Sequence, residues 1–405
     1  MRNAVLLLLL ALCLPVCAQH AASSKGRRAW SVGKGVITDP DNHMRRTPPH
    51  AHANLSAEPK LAPFPTREEE AARSVPAQEN RKVGGYVNRV TAQEPAYKAA
   101  GNIIICGRGS QTRAFSPFNS LRERCEEYAA VANRYKDIFG PDVRVYCMPI
   151  PIAVEYYCPD AAREWTGSCA RAVNNIFAAL RTDVVAVDVY TTLGQHAAEP
   201  IYSRTDHHWS PLGAYYAAER FAALAGVPFR DLSCYESDTV RNFVGTMYKF
   251  SKDISVKNAP EDFVFYRPTQ VEYATTFIDY TLDSRRKYVT GESEPREGNF
   301  FRHYDDGSGA AYSTFMGGDA KLTHVHTSTP GGRRLLILKD SFGNALPGYL
   351  FYSFEDIHVV DCRYFTKNLR DYVRDNHITD ILFANNLQHA CTPATTEKYY
   401  QYLTQ

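Results

Sequence analysis

Residues 334–351, RLLILKDSFGNALPGYLF, pass from a short apolar run to a helical pattern through a turn that carries a serine. The run 334–338 favours a buried strand, and residues 342–351 favour a helix. Ser341 lies between them, where a strand-to-helix turn exposes a hydroxyl at the sheet edge beside the backbone N–H groups of the helix start. The sequence therefore offers Ser341 as a nucleophile, with an ordinary helix N-cap as the alternative.

The same alternation of strands and helices recurs along the chain from residue 102. The other predicted strands are residues 102–106, 143–148, 183–190, 357–360 and 380–383. The other predicted helices are residues 119–139, 160–180, 211–225, 367–376 and 395–403. This order predicts an α/β fold with a parallel sheet and helices on both faces.

Residues 230–330 interrupt this alternation, since they are rich in Gly, Asp, Ser and aromatic residues and have no helical period. The segments 263–266 and 271–278 predict β-hairpins. Ligands of α/β sheets bind beyond the carboxyl ends of the strands, where insertions also gather. We therefore expect a β-rich insertion at the rim of the sheet, near the active site.

The start of the chain predicts a secretory signal, because Arg2 precedes an apolar run and the small residue Ala18. Cleavage after Ala18 defines a signal peptide over residues 1–18. Lipidation of Cys17 is the alternative, since Leu-Pro-Val-Cys is similar to a lipobox. The apolar run is too short for a membrane span. We expect an extracytoplasmic protein, periplasmic or secreted, with lipid anchoring through Cys17 as the alternative.

The rest of the chain divides into two parts. Residues 19–82 are polar and rich in Pro, Ala, Arg and Glu without apolar periodicity, which predicts a flexible leader. Residues 83–405 form the predicted domain.

The whole chain has 46 basic and 44 acidic residues, and no basic stripe concentrates the charge. Nucleic acid is therefore excluded as a partner.

Ten cysteines also favour export. Eight of them follow the signal region: Cys106, Cys125, Cys147, Cys158, Cys169, Cys234, Cys362 and Cys391. An even number in an exported chain predicts disulfides, although cysteines inside strand-like runs can also be small buried hydrophobes. None of the cysteines has the spacing of a zinc site, and we expect neither a metal nor a cofactor.

A second motif, Asp206-His207-His208-Trp209, supplies the partners that a serine nucleophile needs. A hydroxyl requires a neighbouring imidazole to remove its proton, and a carboxylate must hold that imidazole in the right tautomer. One alternative is a capped turn, with Asp206 or Ser210 at the start of the helix that begins at Pro211. Another is a metal site formed by the Asp and the two His residues.

The segment 202–216, YSRTDHHWSPLGAYY, resembles the signature of the bacterial DHHW family. That family is grouped with the SGNH-hydrolase-like domains of the alginate acetylation proteins AlgX and AlgJ. Residues 339–346, KDSFGNAL, resemble the nucleophile turn of the same family. The resemblance covers residues 100–405 in outline and implies an SGNH-hydrolase-like fold. It also implies Ser341 as nucleophile, His208 as base and Asp206 as its orienting carboxylate, with His207 as the alternative base.

The resemblance further implies oxyanion donors from a glycine and an asparagine after later strands. Asn385 and Asn386 follow the strand that begins at residue 380 and are the candidates for the asparagine. Residues 361–364 carry no glycine, so Arg363 or Tyr364 would have to donate instead. Turn and packing roles are the alternatives for all four residues. The Asp-His motif precedes the serine, which implies a circularly permuted order relative to ordinary SGNH enzymes.

For function, the resemblance implies an exported, serine-dependent O-acetyltransferase that acts on an extracytoplasmic polysaccharide or oligosaccharide. A membrane-bound O-acyltransferase would then supply the acetyl group. A carbohydrate acetyl esterase is the second hypothesis, because it differs only in discharging the acyl-enzyme to water. A non-catalytic glycan-binding or assembly factor that retains the fold is the third.

Overall fold

A computed structural model describes residues 82–84 and 95–405. The predicted signal peptide (1–18), the lipidation alternative at Cys17 and almost all of the predicted leader (19–82) lie outside the described residues. Within the described part of the chain, no helix is both long enough and apolar enough to cross a membrane.

The described residues contain fifteen strands and ten α-helices. The strands are β1 (Ala96–Lys98), β2 (Ile104–Cys106), β3 (Arg113–Phe115), β4 (Arg144–Cys147), β5 (Val185–Ala186), β6 (Tyr235–Phe243), β7 (Glu261–Pro268), β8 (Tyr273–Ile278), β9 (Tyr280–Leu282), β10 (Val289–Glu292), β11 (Arg296–Glu297), β12 (Leu322–Thr327), β13 (Arg334–Lys339), β14 (Asp356–Asp361) and β15 (Asp380–Ala384). The helices are α1 (Arg122–Phe139), α2 (Val154–Tyr157), α3 (Cys169–Ala179), α4 (Val189–Gln195), α5 (Pro211–Ala225), α6 (Thr246–Ser251), α7 (Ile254–Lys257), α8 (Leu369–Asp375), α9 (Leu387–Ala390) and α10 (Pro393–Tyr402).

Eight strands form one mixed sheet in the order β11-β8-β12-β14-β13-β15-β4-β5. The five strands from β14 to β5 are parallel, as the sequence predicts for that half. Strand β13 lies inside this half, and its residues Leu335, Leu336, Ile337 and Leu338 have no exposed surface. A parallel sheet covered on both sides requires such continuous apolar strands.

The other three strands run antiparallel to their neighbours, and they come from the segment predicted as a β-rich insertion. Strands β8, β11 and β12 all come from residues 230–330, yet they extend the central sheet beyond β14. Strands β6 and β7 form a separate antiparallel pair, and so do β9 and β10. The predicted hairpin over 271–278 is wrong, because β8 pairs with the distant strand β12. Strand β8 makes its backbone hydrogen bonds with a strand about 50 residues further along the chain. The local sequence does not specify which distant strand will be its partner.

Helices cover both faces of the sheet. Phe383 pairs in register with Cys147, and Tyr146 pairs with Leu382, so Phe383 and Tyr146 point to opposite faces. The ring of Phe383 contacts Tyr135 of α1, while the ring of Tyr146 contacts Phe221 of α5. The protein is therefore a mixed α/β fold with a large central sheet, and the prediction of helices on both faces is correct.

Several predicted elements are shorter or broken in the structure. The predicted helix 160–180 divides into a 3-10 turn and α3, where Ser168 caps the second part by accepting the N–H of Arg171. The predicted strand 183–190 is only β5, because Asp188 caps α4 instead. The predicted helix 342–351 is two 3-10 turns, Ser341–Ala345 and Pro347–Leu350. Proline has no N–H to continue the first turn.

The structure does not contain the predicted disulfides. No disulfide joins any of the eight cysteines of the described residues, and seven of them are buried. The Sγ atoms of Cys125 and Cys391 lie 3.4 Å apart, well beyond the ~2.05 Å of a disulfide bond. In the described residues these side chains act as small buried hydrophobes, which was the alternative interpretation of the sequence.

A buried ion pair ties β13 to β15 at the edge opposite Ser341. Arg333 holds Asp380 through Nε–Oδ2 and Nη2–Oδ1 contacts of 2.8 and 2.5 Å. We expect Arg333→Met to lower the free energy of unfolding by about 3–5 kcal/mol, because it removes the closer of the two cations paired with a buried carboxylate. Urea unfolding measures this change. The exposed Arg374, which pairs with Asp371 and Asp375, provides the control, since Arg374→Met should leave the midpoint almost unchanged. Equal effects of the two substitutions would contradict the prediction.

Candidate active site

Asp206, His208 and Ser341 meet at the carboxyl end of β13. His208 Nδ1 lies 2.6 Å from Asp206 Oδ1, and His208 Nε2 lies 2.8 Å from Ser341 Oγ. Asp206 and His208 are buried, while Ser341 is partly exposed and open to a reactant. This chain of two hydrogen bonds is the arrangement that activates a serine hydroxyl for acyl transfer.

The topology of the sheet explains why Ser341 lies in a crevice. Strand β14 lies on one side of β13 and β15 on the other, so the connections that follow β13 and β14 leave in different directions. Such a switch point opens a crevice at the carboxyl ends of parallel strands. Ser341 is in the turn that follows β13, at this crevice.

Asp340, rather than Ser341, caps the turn. Its Oδ1 accepts the N–H of Phe342 at 2.9 Å, and its Oδ2 accepts the N–H of Asn386 at 2.8 Å. The N-cap alternative for Ser341 therefore does not hold, and the serine hydroxyl is available to His208. Gly343 allows the close approach of the turn to its own strand, because a Cβ at this position would overlap the side chain of Lys339.

Asp206 is likewise not needed as a helix cap, because Ser210 has that role. Ser210 caps α5 by accepting the N–H of Gly213 at 3.2 Å, so the helix does not need Asp206 as a cap. Asp206 Oδ1 instead accepts the backbone N–H of His208 at 3.0 Å in addition to the ring contact. The capped-turn alternative thus describes Ser210 and leaves the carboxylate to orient the imidazole.

Thr246 holds the second oxygen of Asp206. Both its N–H and its hydroxyl donate to Asp206 Oδ2, each at 2.8 Å. Burial by itself would raise the pKa of Asp206, but the electrostatic interactions with the adjacent imidazoles, first His208 and then His207, and these hydrogen bonds outweigh it and hold the pKa well below its usual range. Gly245 permits this approach, because a Cβ there would overlap Asp206.

His207 supports the carboxylate and does not contact the serine. Its Nδ1 lies 2.6 Å from Thr246 Oγ1 and 3.7 Å from Asp206 Oδ1. Because the Thr246 hydroxyl donates to Asp206, it accepts a hydrogen bond from His207. Burial, followed by the positive charge of His208, lowers the pKa of His207 to about 3 and keeps this ring neutral. Of the two histidines, the structure brings His208 to Ser341.

Tyr312 fixes the plane of the His208 ring. The two rings stack at 3.8 Å between centroids with an interplanar angle of 5°. The Tyr312 hydroxyl donates to the carbonyls of Ser341 and Phe342, at 3.0 and 2.8 Å. Tyr312 and Thr246 both come from residues 230–330, and sequence reasoning did not identify either. They belong to no recognisable motif, since their roles depend only on where the chain folds back.

The four predicted oxyanion donors all have other partners. Asn385 Oδ1 accepts from the hydroxyls of Tyr128 and Tyr399, at 2.8 and 2.7 Å, and Asn386 caps α9. The ring of Tyr364 stacks on another tyrosine at 3.7 Å. Within residues 95–405, none of these four side chains hydrogen-bonds to Ser341. Asn385 and Asn386 nevertheless lie close to the nucleophile, because both contact Asp340.

Arg363 belongs to a buried ionic cluster behind the serine turn. Its guanidinium lies 2.8 Å from Asp319 and 2.7 Å from Asp361, and Lys339 Nζ lies 2.7 Å from Asp361. Burial would raise the pKa of Asp319, but Arg363 and Lys339 hold it well below its usual range. Asp319 also accepts from Asn344 at 3.0 Å. The cluster therefore anchors the turn that follows Ser341.

The metal alternative at residues 206–208 has a weaker geometric basis than the triad. One ligand atom from each of Asp206, His207 and His208 lies within 4.8 Å of the others. However, the two ring nitrogens of His208 already contact Asp206 and Ser341, and His207 Nδ1 contacts Thr246. Both nitrogens of His208 are therefore engaged, so a metal could bind this ring only by breaking its contact with Asp206 or with Ser341.

Comparison with known proteins gives one family. The model of the DHHW protein family matches residues 89–360. A crystal structure of a DHHW family protein from Eubacterium siraeum is 35% identical, covers 78% of this chain and 100% of its own, and has a TM-score of 0.68. No curated protein matches the sequence.

Two further solved structures are more distant. PatB1 of Bacillus cereus, solved with a sulfonyl adduct, is 16% identical, covers 73% of this chain and 97% of its own, and has a TM-score of 0.55. The O-acetyltransferase domain of Pseudomonas putida AlgJ is 14% identical, covers 73% and 98%, and has a TM-score of 0.39. At 16% identity, the likeness to PatB1 shows the fold alone.

The depressed pKa of His207 predicts a specific pH dependence of stability. Between the unfolded pKa of ~6.5 and the folded pKa of about 3, the unfolded chain binds a proton here and the folded chain does not. Acidification through this window therefore lowers the free energy of unfolding, by at most about 1.4 kcal/mol per pH unit from this group.

We expect His207→Gln to lose less stability than the unmodified protein between pH 7 and pH 5, as measured by urea unfolding at each pH. The difference between the two curves isolates His207, because all other titrating groups are common to both proteins. His303→Gln, at an exposed position outside the site, should follow the unmodified protein. Parallel curves for the His207 variant and the unmodified protein would contradict the assignment of a neutral, partly buried imidazole.

Proposed function

The chain belongs to the DHHW family, and from this membership and the geometry of its site we propose that it is a serine-dependent O-acetyltransferase acting on an extracytoplasmic polysaccharide. The observation that carries the proposal is the hydrogen-bonded sequence Asp206–His208–Ser341, with contacts of 2.6 and 2.8 Å. A carboxylate, an imidazole and a partly exposed hydroxyl in this order are suited to forming an acyl-enzyme.

In the first half of the reaction, Ser341 Oγ attacks the carbonyl carbon of an acetyl ester while His208 Nε2 takes the hydroxyl proton. Asp206 stabilises the imidazolium and keeps Nδ1 protonated. Collapse of the tetrahedral intermediate breaks the bond to the donor's oxygen, and His208 returns the proton to that leaving alcohol. The product is an acetyl ester on Ser341.

In the second half, His208 takes the proton of an acceptor hydroxyl, whose oxygen attacks the acetyl carbon of the acyl-enzyme. The bond to Ser341 Oγ breaks, and the serine recovers a proton from His208. A sugar hydroxyl as acceptor makes the protein a transferase, while water makes it an esterase. The same residues serve both outcomes, so the acceptor alone distinguishes them.

The proposal includes the circularly permuted order implied by the sequence. In the sheet the parallel strands lie side by side in the order β14, β13, β15, β4, β5. If β13 is numbered as strand 1 and β4 and β5 are numbered after β15, this order reads 2-1-3-4-5. This is one of the two common doubly wound orders. The chain, however, passes through β4 and β5 before it reaches β13. The strand order therefore supports a permuted connection of an otherwise familiar sheet.

Export and partners are part of the same proposal. The sequence of residues 1–18 supports secretion, and a glycan outside the cytoplasm needs an acetyl donor that a membrane-bound O-acyltransferase could deliver. For the oxyanion, we retain Asn385 and Asn386 among the predicted donors, because both contact the residue that precedes Ser341. Arg363 is engaged by two buried carboxylates.

A sulfonyl fluoride provides a direct test of the nucleophile. We expect one sulfonyl group to be attached to Ser341 with release of fluoride, and peptide mass spectrometry to locate it there. Ser341→Ala should prevent both this labelling and the turnover of a chromogenic acetyl ester. Ser284→Ala, at an exposed serine outside the site, is the matched control and should change neither.

Substitutions of the two histidines should differ in their effect on the turnover of the chromogenic acetyl ester. We expect His208→Ala to lower kcat by about 10³-fold or more, since it removes the base itself. His207→Ala should stay within roughly 10-fold, because it acts through Thr246. Labelling of a serine other than Ser341, or a greater loss in the His207 variant, would overturn these assignments.

The choice between transfer and hydrolysis requires an acceptor experiment. The protein is incubated with the acetyl ester, with and without an oligosaccharide. Mass spectrometry then measures the masses of the protein and of the glycan. We expect an acetyl group on Ser341, slow release of acetate without acceptor, and acetylated glycan when acceptor is present. Rapid release of acetate that no acceptor alters would assign an esterase. Glycan binding without any acetyl-enzyme would instead support the non-catalytic factor.

A further inference from the structure

A second cluster of polar side chains lies at the opposite end of β14 from the catalytic crevice. Strand β12 carries His324 and His326, and strand β14 carries Asp356 and His358. The two strands are antiparallel neighbours, with His324 opposite His358 and His326 opposite Asp356. Residues two apart on a strand and directly opposite across a pair share one face of the sheet. Three imidazoles and one carboxylate therefore form a two-by-two grid.

Ligand atoms of three residues of this grid, His324, Asp356 and His358, lie close together, and His326 contacts the same carboxylate. His324 Nε2 and His326 Nδ1 lie 2.8 and 3.0 Å from the same oxygen, Oδ1 of Asp356. The ring of His358 stacks on His324 with centroids 4.3 Å apart. One ligand atom from each of His324, Asp356 and His358 lies within 4.8 Å of the others.

These separations are close to those of a tetrahedral metal site. Ligands bound at ~2.0–2.1 Å to zinc lie about 3.3 Å from one another in a tetrahedron. The observed contacts of 2.8 and 3.0 Å would have to open by only a few tenths of an ångström. The imidazoles would also have to present lone pairs, with their protons on the opposite ring nitrogens.

Tyr372 provides the orienting contact that metal-bound histidines usually have. Its hydroxyl lies 2.7 Å from Nδ1 of His358. When the Tyr372 oxygen accepts the Nδ1 proton, Nε2 of His358 keeps a free lone pair. Supporting hydrogen bonds of this kind set the tautomer and the ring orientation of metal ligands.

The surroundings leave the face of the grid accessible. On the neighbouring strand β8, the residues paired with His326 and His324 are Ala274 and Thr276, which are small. A cation, Arg334, also contacts the grid, and its Nε donates to Asp356 Oδ2 at 3.2 Å. That contact uses Oδ2, so Arg334 does not compete for Oδ1, and a cation would reach Oδ1 by displacing its hydrogen bonds to the two imidazoles.

We propose that His324, His326, Asp356 and His358 form a binding site for a divalent transition metal of the zinc type. Imidazole and carboxylate ligands in a tetrahedral arrangement suit Zn²⁺, whereas Mg²⁺ and Ca²⁺ prefer oxygen ligands. The bound ion joins β12, from residues 230–330, to the parallel half of the sheet. Its role is structural, because Asp356 pairs with Arg334 at the start of β13 and Ser341 follows the end of that strand, about 20 Å away.

Calorimetric titration of the full chain with ZnCl₂, after treatment with a chelator, tests the site. We expect one Zn²⁺ per chain and a rise of the thermal midpoint on binding. His324→Ala should weaken binding by about 100-fold or more, and Tyr372→Phe by roughly 10-fold. His326→Ala changes an exposed side chain and so tests the grid without endangering the fold. His303→Ala, outside the grid, should bind like the unmodified protein.

Replacing Zn²⁺ by Co²⁺ provides a second measurement of the site. Co²⁺ in a tetrahedral site of nitrogen and oxygen ligands absorbs visible light, so the absorption spectrum reports the coordination geometry. Absence of stoichiometric Zn²⁺ binding would overturn the proposal. So would binding that survives His324→Ala and His326→Ala but is lost in His207→Ala, because the ion would then lie at residues 206–208. Acetyl-ester turnover should persist in His324→Ala without zinc, so failure of the metal proposal and failure of the acyl-transfer proposal remain distinguishable.

Discussion

The buried carboxylate of Asp340 is the group on which the geometry of the site depends. One oxygen caps the turn after β13 through the N–H of Phe342, and the other holds the N–H of Asn386 after β15. Because Asp340 satisfies the turn, the adjacent Ser341 keeps its hydroxyl free for His208. The contact also joins the ends of two neighbouring strands, so the crevice and the nucleophile are positioned by one side chain.

The remaining parts of the site come from segments far apart in the chain. Residues 206–208 supply the acid and base, and residues 230–330 supply Thr246 and Tyr312, which hold the carboxylate and the imidazole ring. Since β8 and β12 of that same segment extend the central sheet, the segment cannot be treated as a detachable lid. Its folding onto β14 and the orientation of the triad are parts of one structure.

The two ends of the sheet carry different chemistry. The carboxyl ends of β13 and β15 hold neutral or internally paired groups around a reactive hydroxyl, where an uncompensated charge would be costly to bury. The opposite end of β14 brings imidazoles and a carboxylate to an accessible face. The two groups of residues are separated because they lie at opposite ends of the neighbouring strands β13 and β14.

The sequence by itself determined the α/β class, helix α5 to its terminal residues, the strand that precedes Ser341, and the pairing of an Asp-His motif with a distant serine. Those features depend on local periodicity, on caps such as Ser210 followed by Pro211, and on short motifs. Only the tertiary structure decided that β8 and β12 join the sheet, that residues 342–351 form two 3-10 turns, and that Thr246 and Tyr312 support the triad. It also decided which of His207 and His208 lies against Ser341. These outcomes depend on contacts between residues distant in sequence, where strand pairing, burial and hydrogen bonding select partners that no local pattern specifies.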